Sequence, residues 1–247
     1  MKFLVLIIAH RHDVWSQFRP DLERCLNLYP GVNYRFIYLD PELTDARIGP
    51  TEFVFPGIED SIPGVLMKTM DALMILESEL KNYDYVIRTN LTTIIRYDLL
   101  EEWLNTHRDW CYTGYWLTTE CLQDYNIVST AQNMLTYCAG TAVIIRQNLA
   151  LHLTRLRHRL DYLIQDDRAI GKFFRDYVGL EENQGLTEEQ VFFMDNYLTE
   201  EENKELIRLG MKDKVIMYRM KSEDRTKDQK CQAYTVDLLA ARSAKNG

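Results

Sequence analysis

The sequence predicts an α/β fold built on a mainly parallel central sheet with helices on both faces. Three observations predict it. Residues 3–9 and 85–89 are apolar runs with almost no polar alternation, as expected of strands covered on both faces. Segments with apolar residues at helical spacing lie between such runs. The order over the first 89 residues is strand, helix, strand, strand, helix, strand, which is how parallel strands joined by crossover helices read along a chain.

In order, residues 3–9 form the first strand. Residues 15–28 carry Trp15, Phe18, Leu22, Cys25 and Leu26 at helical spacing and end at the Pro30-Gly31 turn. Residues 34–39 form a second strand that ends at Asp40, and 51–55 a short third. Pro63-Gly64 precedes a helix over 65–80 with Leu66, Met70, Leu73, Leu76 and Leu80 on one side. After the strand at 85–89 come a short helix (99–105) and strands at 111–116 and 142–145. Helices follow over 149–163 and 166–177. Thr187-Glu188-Glu189-Gln190 has the form of a capping box ahead of residues 191–194. Thr199-Glu200-Glu201-Glu202 opens a helix that stops near Gly210, 215–220 is a last strand, and 235–241 a C-terminal helix. No repeat or Pro/Gly-rich linker interrupts the 247 residues, so one domain is expected, in two halves, 1–100 and 101–247.

With 46% hydrophobic and 27% charged residues the balance is that of a globular protein, and the net charge of -8 argues against a general nucleic-acid binder. Cys25, Cys111, Cys121, Cys138 and Cys231 are odd in number and lack C-x-x-C spacing, so reduced thiols are expected, with no disulfide framework and no zinc site. The apolar N-terminal run stops at His10-Arg11-His12-Asp13. It lacks a cleavage pattern and falls short of the roughly 18 residues of a membrane span, so no transmembrane segment and a cytoplasmic location are expected. Asn90-Leu91-Thr92 matches a glycosylation acceptor pattern, which without a secretory signal is read as chance.

In open α/β sheets ligands sit beyond the carboxyl ends of the strands. Four features fall there. They are His10 and Arg11 after the first strand; Asp40 after the second; Lys68 on the following helix, with Arg88, Asn90 and Thr92 at the fourth strand; and residues 137–142 together with 166–171.

At these positions the chain resembles the β1,3-galactosyltransferase and Fringe-like glycosyltransferases. Residues 59–70 (EDSIPGVLMKTM) followed by 83–89 (YDYVIRT) are similar to an acidic residue, Leu-x-Leu-Lys-Thr and Tyr-x-x-x-Lys-Thr ahead of an Asp-Asp-Asp triplet. Cys138-Ala139-Gly140-Thr141 is similar to the family's Cys-Ser-Gly-Gly/Thr, and Asp166-Asp167-Arg168-Ala169-Ile170-Gly171 to its Glu-Asp-Val-x-x-Gly. The matches keep the family's order over residues 59–171.

The resemblance implies a GT-A fold and an inverting sugar transfer from a nucleotide-sugar donor, such as a UDP-sugar, to a glycan or glycoside hydroxyl. It places Lys68 toward the nucleotide, Gly140 and Thr141 on the donor-sugar or acceptor side, and Asp167 as catalytic base with Asp166 as the alternative. Asn90-Leu91-Thr92 replaces the metal-binding acids. Because Mg²⁺ and Mn²⁺ prefer carboxylate oxygens, Mn or Mg is only a possible cofactor. Basic side chains can hold a diphosphate instead; Arg219, Lys221, Arg225 and Lys227 are the candidates, in a loop expected to close over it. Eukaryotic members of the family are usually Golgi-anchored, so the start on a strand suggests a bacterial or viral version, in the host cytoplasm if viral.

Other readings stay open. Arg88 can pair with Asp84 or Asp98, Asp167 can simply complement a helix dipole, and the 219–228 run can be a self-neutralising surface loop. Cys138 reads as a buried residue and His152 and His158 as solvated ones. The alternative function is a non-catalytic protein binding sugar nucleotides or glycans on the same fold. An unrelated nucleotide-binding enzyme is disfavoured, because no dinucleotide-binding glycine loop or P-loop occurs.

Overall fold

The computed structural model describes residues 1–11, 13–120, 134–179, 185–212 and 214–246. Cys121 and His12 lie outside them.

Seven strands form one sheet: β1 (Phe3–Ile8), β2 (Val32–Asp40), β3 (Arg47–Ile48), β4 (Glu52–Pro56), β5 (Tyr85–Asn90), β7 (Tyr112–Glu120) and β8 (Met134–Arg146), in the order β3-β4-β2-β1-β5-β8-β7. The four strands β4-β2-β1-β5 are parallel. Strand β3 pairs antiparallel with β4, β8 with β5, and β7 with β8. The sheet is therefore mixed, and the expectation of a mainly parallel one holds only for its centre. A second sheet, β6 (Thr93–Ile95), β10 (Met217–Arg219) and β9 (Val191–Phe193), is ordered β6-β10-β9.

The apolar runs divide by alternation, as a strand's period of two requires. Phe3, Val5 and Ile7 of β1, with Tyr85 and Ile87 of β5, enter one core. Leu4, Leu6 and Ile8, with Val86, enter the other. The first core is closed by α2 (Arg19–Leu26), α4 (Tyr97–Thr106) and α8 (Arg225–Asn246). The second is closed by α3 (Gly64–Ile75), α5 (Gln147–Arg155) and α6 (Asp166–Phe173). Among the described residues no helix is long and apolar enough to cross a membrane.

Several expected elements differ from those observed. The helix over 15–28 is two pieces, α1 (Asp13–Ser16) and α2, because Pro20 has no N–H to continue a helix and sits instead in the first turn of α2. The expected helix over 149–163 is α5 followed by a 3-10 turn, Arg157–Arg159. At Thr187 the Gln190 side chain does accept from the Thr187 N–H at 3.0 Å, but the chain makes one turn and enters strand β9. The capping box at Thr199 and Glu202 is formed and opens α7 (Glu200–Gly210). Most consequential is α8, which begins at Arg225, ten residues before the expected start at 235. The basic run after β10 is therefore a short connection, 220–224, and then helix. Arg225 and Lys227 lie on that helix.

Candidate functional site

Strands β1 and β5 end level with each other, Ile8 opposite Asn90. Beyond these ends, His10 and Thr92 border one shared space. Strand β8 crosses that space antiparallel, bringing Ala139, Gly140 and Thr141 past the end of β5. Helix α6 lies close against β8, since a Cβ at Gly171 would fall 2.4 Å from the Tyr137 Cβ. That approach sets the first turn of α6, with Asp166 and Asp167, at the same place. From the other side β10 pairs with β6, just beyond Thr92, and supplies Arg219 and then Lys221.

These elements enclose a cavity of about 690 Å³. Of the residues singled out in the sequence, His10, Arg88, Asn90, Thr92, Gly140, Thr141, Asp166, Asp167, Arg219 and Lys221 line it.

The Gly140 peptide joins this wall together. Its carbonyl accepts from Arg88 Nη1 at 2.5 Å and from the Asn90 amide, while its N–H donates to Asp167 Oδ2 at 2.8 Å. A Cβ at Gly140 would lie 2.8 Å from Arg88 Nη1 and 3.1 Å from Asp167 Oδ2, so the position has no room for a side chain. Arg88 pairs with Asp166 at 2.7 Å, and both are buried. The pairing of Arg88 with Asp84 or Asp98 is not what forms. Burial pushes the Asp166 carboxyl above its usual range, with Arg88 opposing. Asp167 is the more exposed acid. Its Oδ1 also accepts the Arg168 N–H at 2.8 Å.

Across the cavity the balance is cationic. Arg219 donates only to the Thr93 hydroxyl, at 3.0 Å, and has no carboxylate partner among the described residues. Burial, with Arg88 and Arg225 nearby, lowers Arg219 to about 10. Partial burial and the charges of Arg219 and Arg225 lower Lys221 as well, although its side chain still reaches solvent. Two neighbouring cations, neither with a carboxylate partner among the described residues, form a place for an anion.

The remaining candidates stand outside the lining. Lys68 is fully buried, its Nζ 2.9 Å from the Ala9 carbonyl and 2.6 Å from Glu59 Oε2. It fixes the end of β1 and does not face the cavity. Glu59 also accepts the Leu39 N–H at 2.6 Å and lies 3.5 Å from His10 Nδ1. Asp40 holds Arg11 and Arg47, each at 3.4 Å, and Arg11 also reaches Glu52 at 3.1 Å. Arg225 stacks on Trp15, 4.6 Å from ring centroid to Cζ, and pairs with Asp228 at 2.7 Å. It therefore backs a lining residue from behind.

The segment Asn90-Leu91-Thr92 occupies the place where the resemblance puts metal-binding acids. Leu91 belongs to the first core, the Asn90 amide is bonded to Gly140, and the Asn90 Oδ1 lies 3.5 Å from the Arg88 guanidinium. One amide oxygen beside a fixed cation does not fit Mn²⁺ or Mg²⁺. Among the described residues no group of three His, Cys, Asp or Glu is placed to share a metal ion. The thiols of Cys25, Cys111, Cys138 and Cys231 are free, and burial holds Cys138 well above the usual thiol range, so it is not a nucleophile.

The cavity also uses residues that sequence reasoning passes over, among them Trp15, Leu117, Gln165 and Phe193. Trp15, Leu117 and Phe193 read as ordinary apolar residues of their elements, and only the meeting of the two sheets brings them here.

No protein-family model and no curated protein sequence matches the chain. Its fold is shared with known structures. One is a glycosyltransferase involved in the glycosylation of the major capsid of PBCV-1, at TM-score 0.51 and 6% identity, over 94% of this chain and 98% of that one. This chain has a glycosyltransferase-like fold. At that identity the likeness speaks for the fold alone.

Proposed function

We propose that this protein is a glycosyltransferase of GT-A type that moves a sugar from a nucleotide-sugar donor to a glycan hydroxyl, with inversion and without a divalent metal. The observation that carries the reading is the shared cavity, in which two cations without carboxylate partners among the described residues, Arg219 and Lys221, face the same space as the carboxylate of Asp167. An inverting transfer needs both kinds of group.

In this reading Asp167 takes the acceptor hydroxyl proton as the oxygen bonds to the anomeric carbon. The bond from that carbon to the donor phosphate breaks, and its electron pair leaves with the nucleoside diphosphate. Arg219 and Lys221 stabilise the departing charge, in place of a metal. Arg88 is committed to Asp166 and Gly140 and holds the wall on which Asp167 sits. Asp166, paired and buried, is the poorer base. His10, Asn90 and Thr92 on the donor side and Gly140 and Thr141 near the sugar complete the site; Lys68, Arg11 and Asp40 act from behind it.

One observation favours the alternative, a sugar-nucleotide or glycan-binding protein without turnover. The strand tip that would bind a metal is instead bonded into the wall through Asn90. A thermal-shift panel of UDP and UDP-sugars, in EDTA and in Mn²⁺, tests the donor site. A ligand at 100 times its Kd adds about 2.7 kcal/mol of stability, and the reading expects equal shifts in both buffers, reduced in Arg219→Ala and Lys221→Ala. A shift that appears only with Mn²⁺ sinks the metal-free mechanism, and no shift with any nucleotide sinks the donor site.

A further inference from the structure

The cavity has an apolar rim that the donor chemistry does not use. Phe193 and Leu117 both line it while remaining 44% and 40% exposed. Phe193 is the last residue of β9 and pairs in register with Arg219, which in turn pairs with Thr93. In adjacent strands such partners share a face of the sheet, so an exposed aromatic ring stands one strand away from the Arg219 guanidinium. The ring is held in place. Tyr115 meets it edge-on, with centroids 5.0 Å apart, and the Met194 N–H just after it donates to the Arg219 carbonyl at 3.1 Å. The preceding segment is tied to β7, where the Leu186 N–H donates to the Gly114 carbonyl at 2.8 Å.

A fixed, half-exposed aromatic face at the mouth of a polar cavity matches the apolar face of a pyranose. The ring C–H groups of a sugar carry slight positive charge and meet the negative face of an aromatic ring, while its hydroxyls reach polar groups at the edges. We infer that Phe193, supported by Tyr115 and sharing the cavity lining with Leu117, is the platform for a pyranose ring of the acceptor. It rests on the proposed transferase reading and adds where and how the acceptor sits. The rim position decides between acceptor and donor sugar. A ring stacked there leaves the rest of a glycan free to extend into solvent, while the donor's diphosphate stays at Arg219 and Lys221.

Saturation-transfer NMR on the whole protein tests this without turnover. The probes are methyl β-D-glucopyranoside, methyl β-D-galactopyranoside and methyl α-D-mannopyranoside, each with and without inorganic pyrophosphate. At least one glycoside is expected to bind the wild type through its ring C–H protons. Phe193→Ala should weaken it by roughly three- to tenfold, Phe193→Tyr should retain it, and Leu117→Ala should weaken it less. Pyrophosphate affinity should be unchanged in all three variants. The inference is overturned if none of the glycosides binds, if Phe193→Ala binds as the wild type does, or if Phe193→Ala weakens pyrophosphate as much as sugar, which would place the donor on the ring. Sugar binding through Phe193 with no pyrophosphate binding in the wild type would overturn the donor site and leave the platform standing.

Discussion

Replacing Arg88 by Met is the sharpest test of how the cavity wall is held. Arg88 and Asp166 are 5% and 7% exposed and pair at 2.7 Å, and Arg88 also donates to Gly140 at 2.5 Å. Met keeps most of the volume and removes the charge. It leaves Asp166 buried without its cation, a loss of about 3–5 kcal/mol at neutral pH, or roughly 6–20 °C in Tm for a chain of this size. The sign of the pH dependence comes from burial. The folded Asp166 carboxyl already lies above its ordinary value, and removing Arg88, which opposes the shift, raises it further. A group with a raised folded pKa contributes stability below its unfolded value, and that contribution is lost as pH rises through the folded value. The deficit of Arg88→Met should therefore shrink as pH falls from 7 toward about 4, the ordinary carboxylate value. Arg88→Met with Asp166→Asn should already be milder than Arg88→Met alone at pH 7. Denaturant unfolding of the three proteins between pH 4 and 7 gives the answer. A deficit that does not vary with pH, or a double variant worse than the single, refutes the claim that an uncompensated buried carboxylate is the cause.

The packing sets three further outcomes. Asp228 is fully buried and accepts the Ser222 N–H at 2.8 Å, the Ser222 hydroxyl at 2.6 Å and Arg225 at 2.7 Å. Asp228→Asn should disturb the 220–224 connection and weaken pyrophosphate binding in calorimetry by about tenfold, as expected for breaking charge-assisted bonds, while binding of methyl glycosides stays unchanged. Lys221→Ala, at an exposed position, should weaken pyrophosphate with little change in unfolding free energy, and the loss should be smaller in high salt. Leu6→Ala in the centre of β1 should cost about 2–5 kcal/mol of stability in urea titration without changing ligand affinity in the surviving folded fraction.

The parts of the fold legible in the sequence are those set by periodicity alone. Phe3 to Ile8 and Tyr85 to Thr89 have both faces buried, and nothing but a central strand fits them. The motif at 166–171 singles out Asp166 and Asp167, and the structure sets both in the cavity beyond the ends of β1 and β5. The illegible parts depend on partners far away in sequence. β8 extends back to Met134 because β7 pairs along it, and residues 191–193 become a strand because β10 lies beside them. Thr187 and Gln190 make a local bond that reads as a helix start, and tertiary pairing overrides it. In the sequence Arg225 reads as one of four equivalent basic residues. It is instead committed by Asp228 and Trp15, which the sequence separates from it by three and 210 positions.

The central claim is that Asp167 is the base of a sugar transfer whose donor sits on Arg219 and Lys221. The most direct measurement is the release of UDP from UDP-sugars, with water as acceptor, by the wild type, Asp167→Asn and Asp166→Asn in EDTA. The account predicts slow release by the wild type from one preferred donor. In Asp167→Asn that release falls by about 10²–10⁴-fold, as expected for loss of a general base, while the thermal shift with UDP is unchanged. Asp166→Asn should lose less. Release by Asp167→Asn within a few-fold of the wild type, or no release by the wild type from any UDP-sugar, would contradict it.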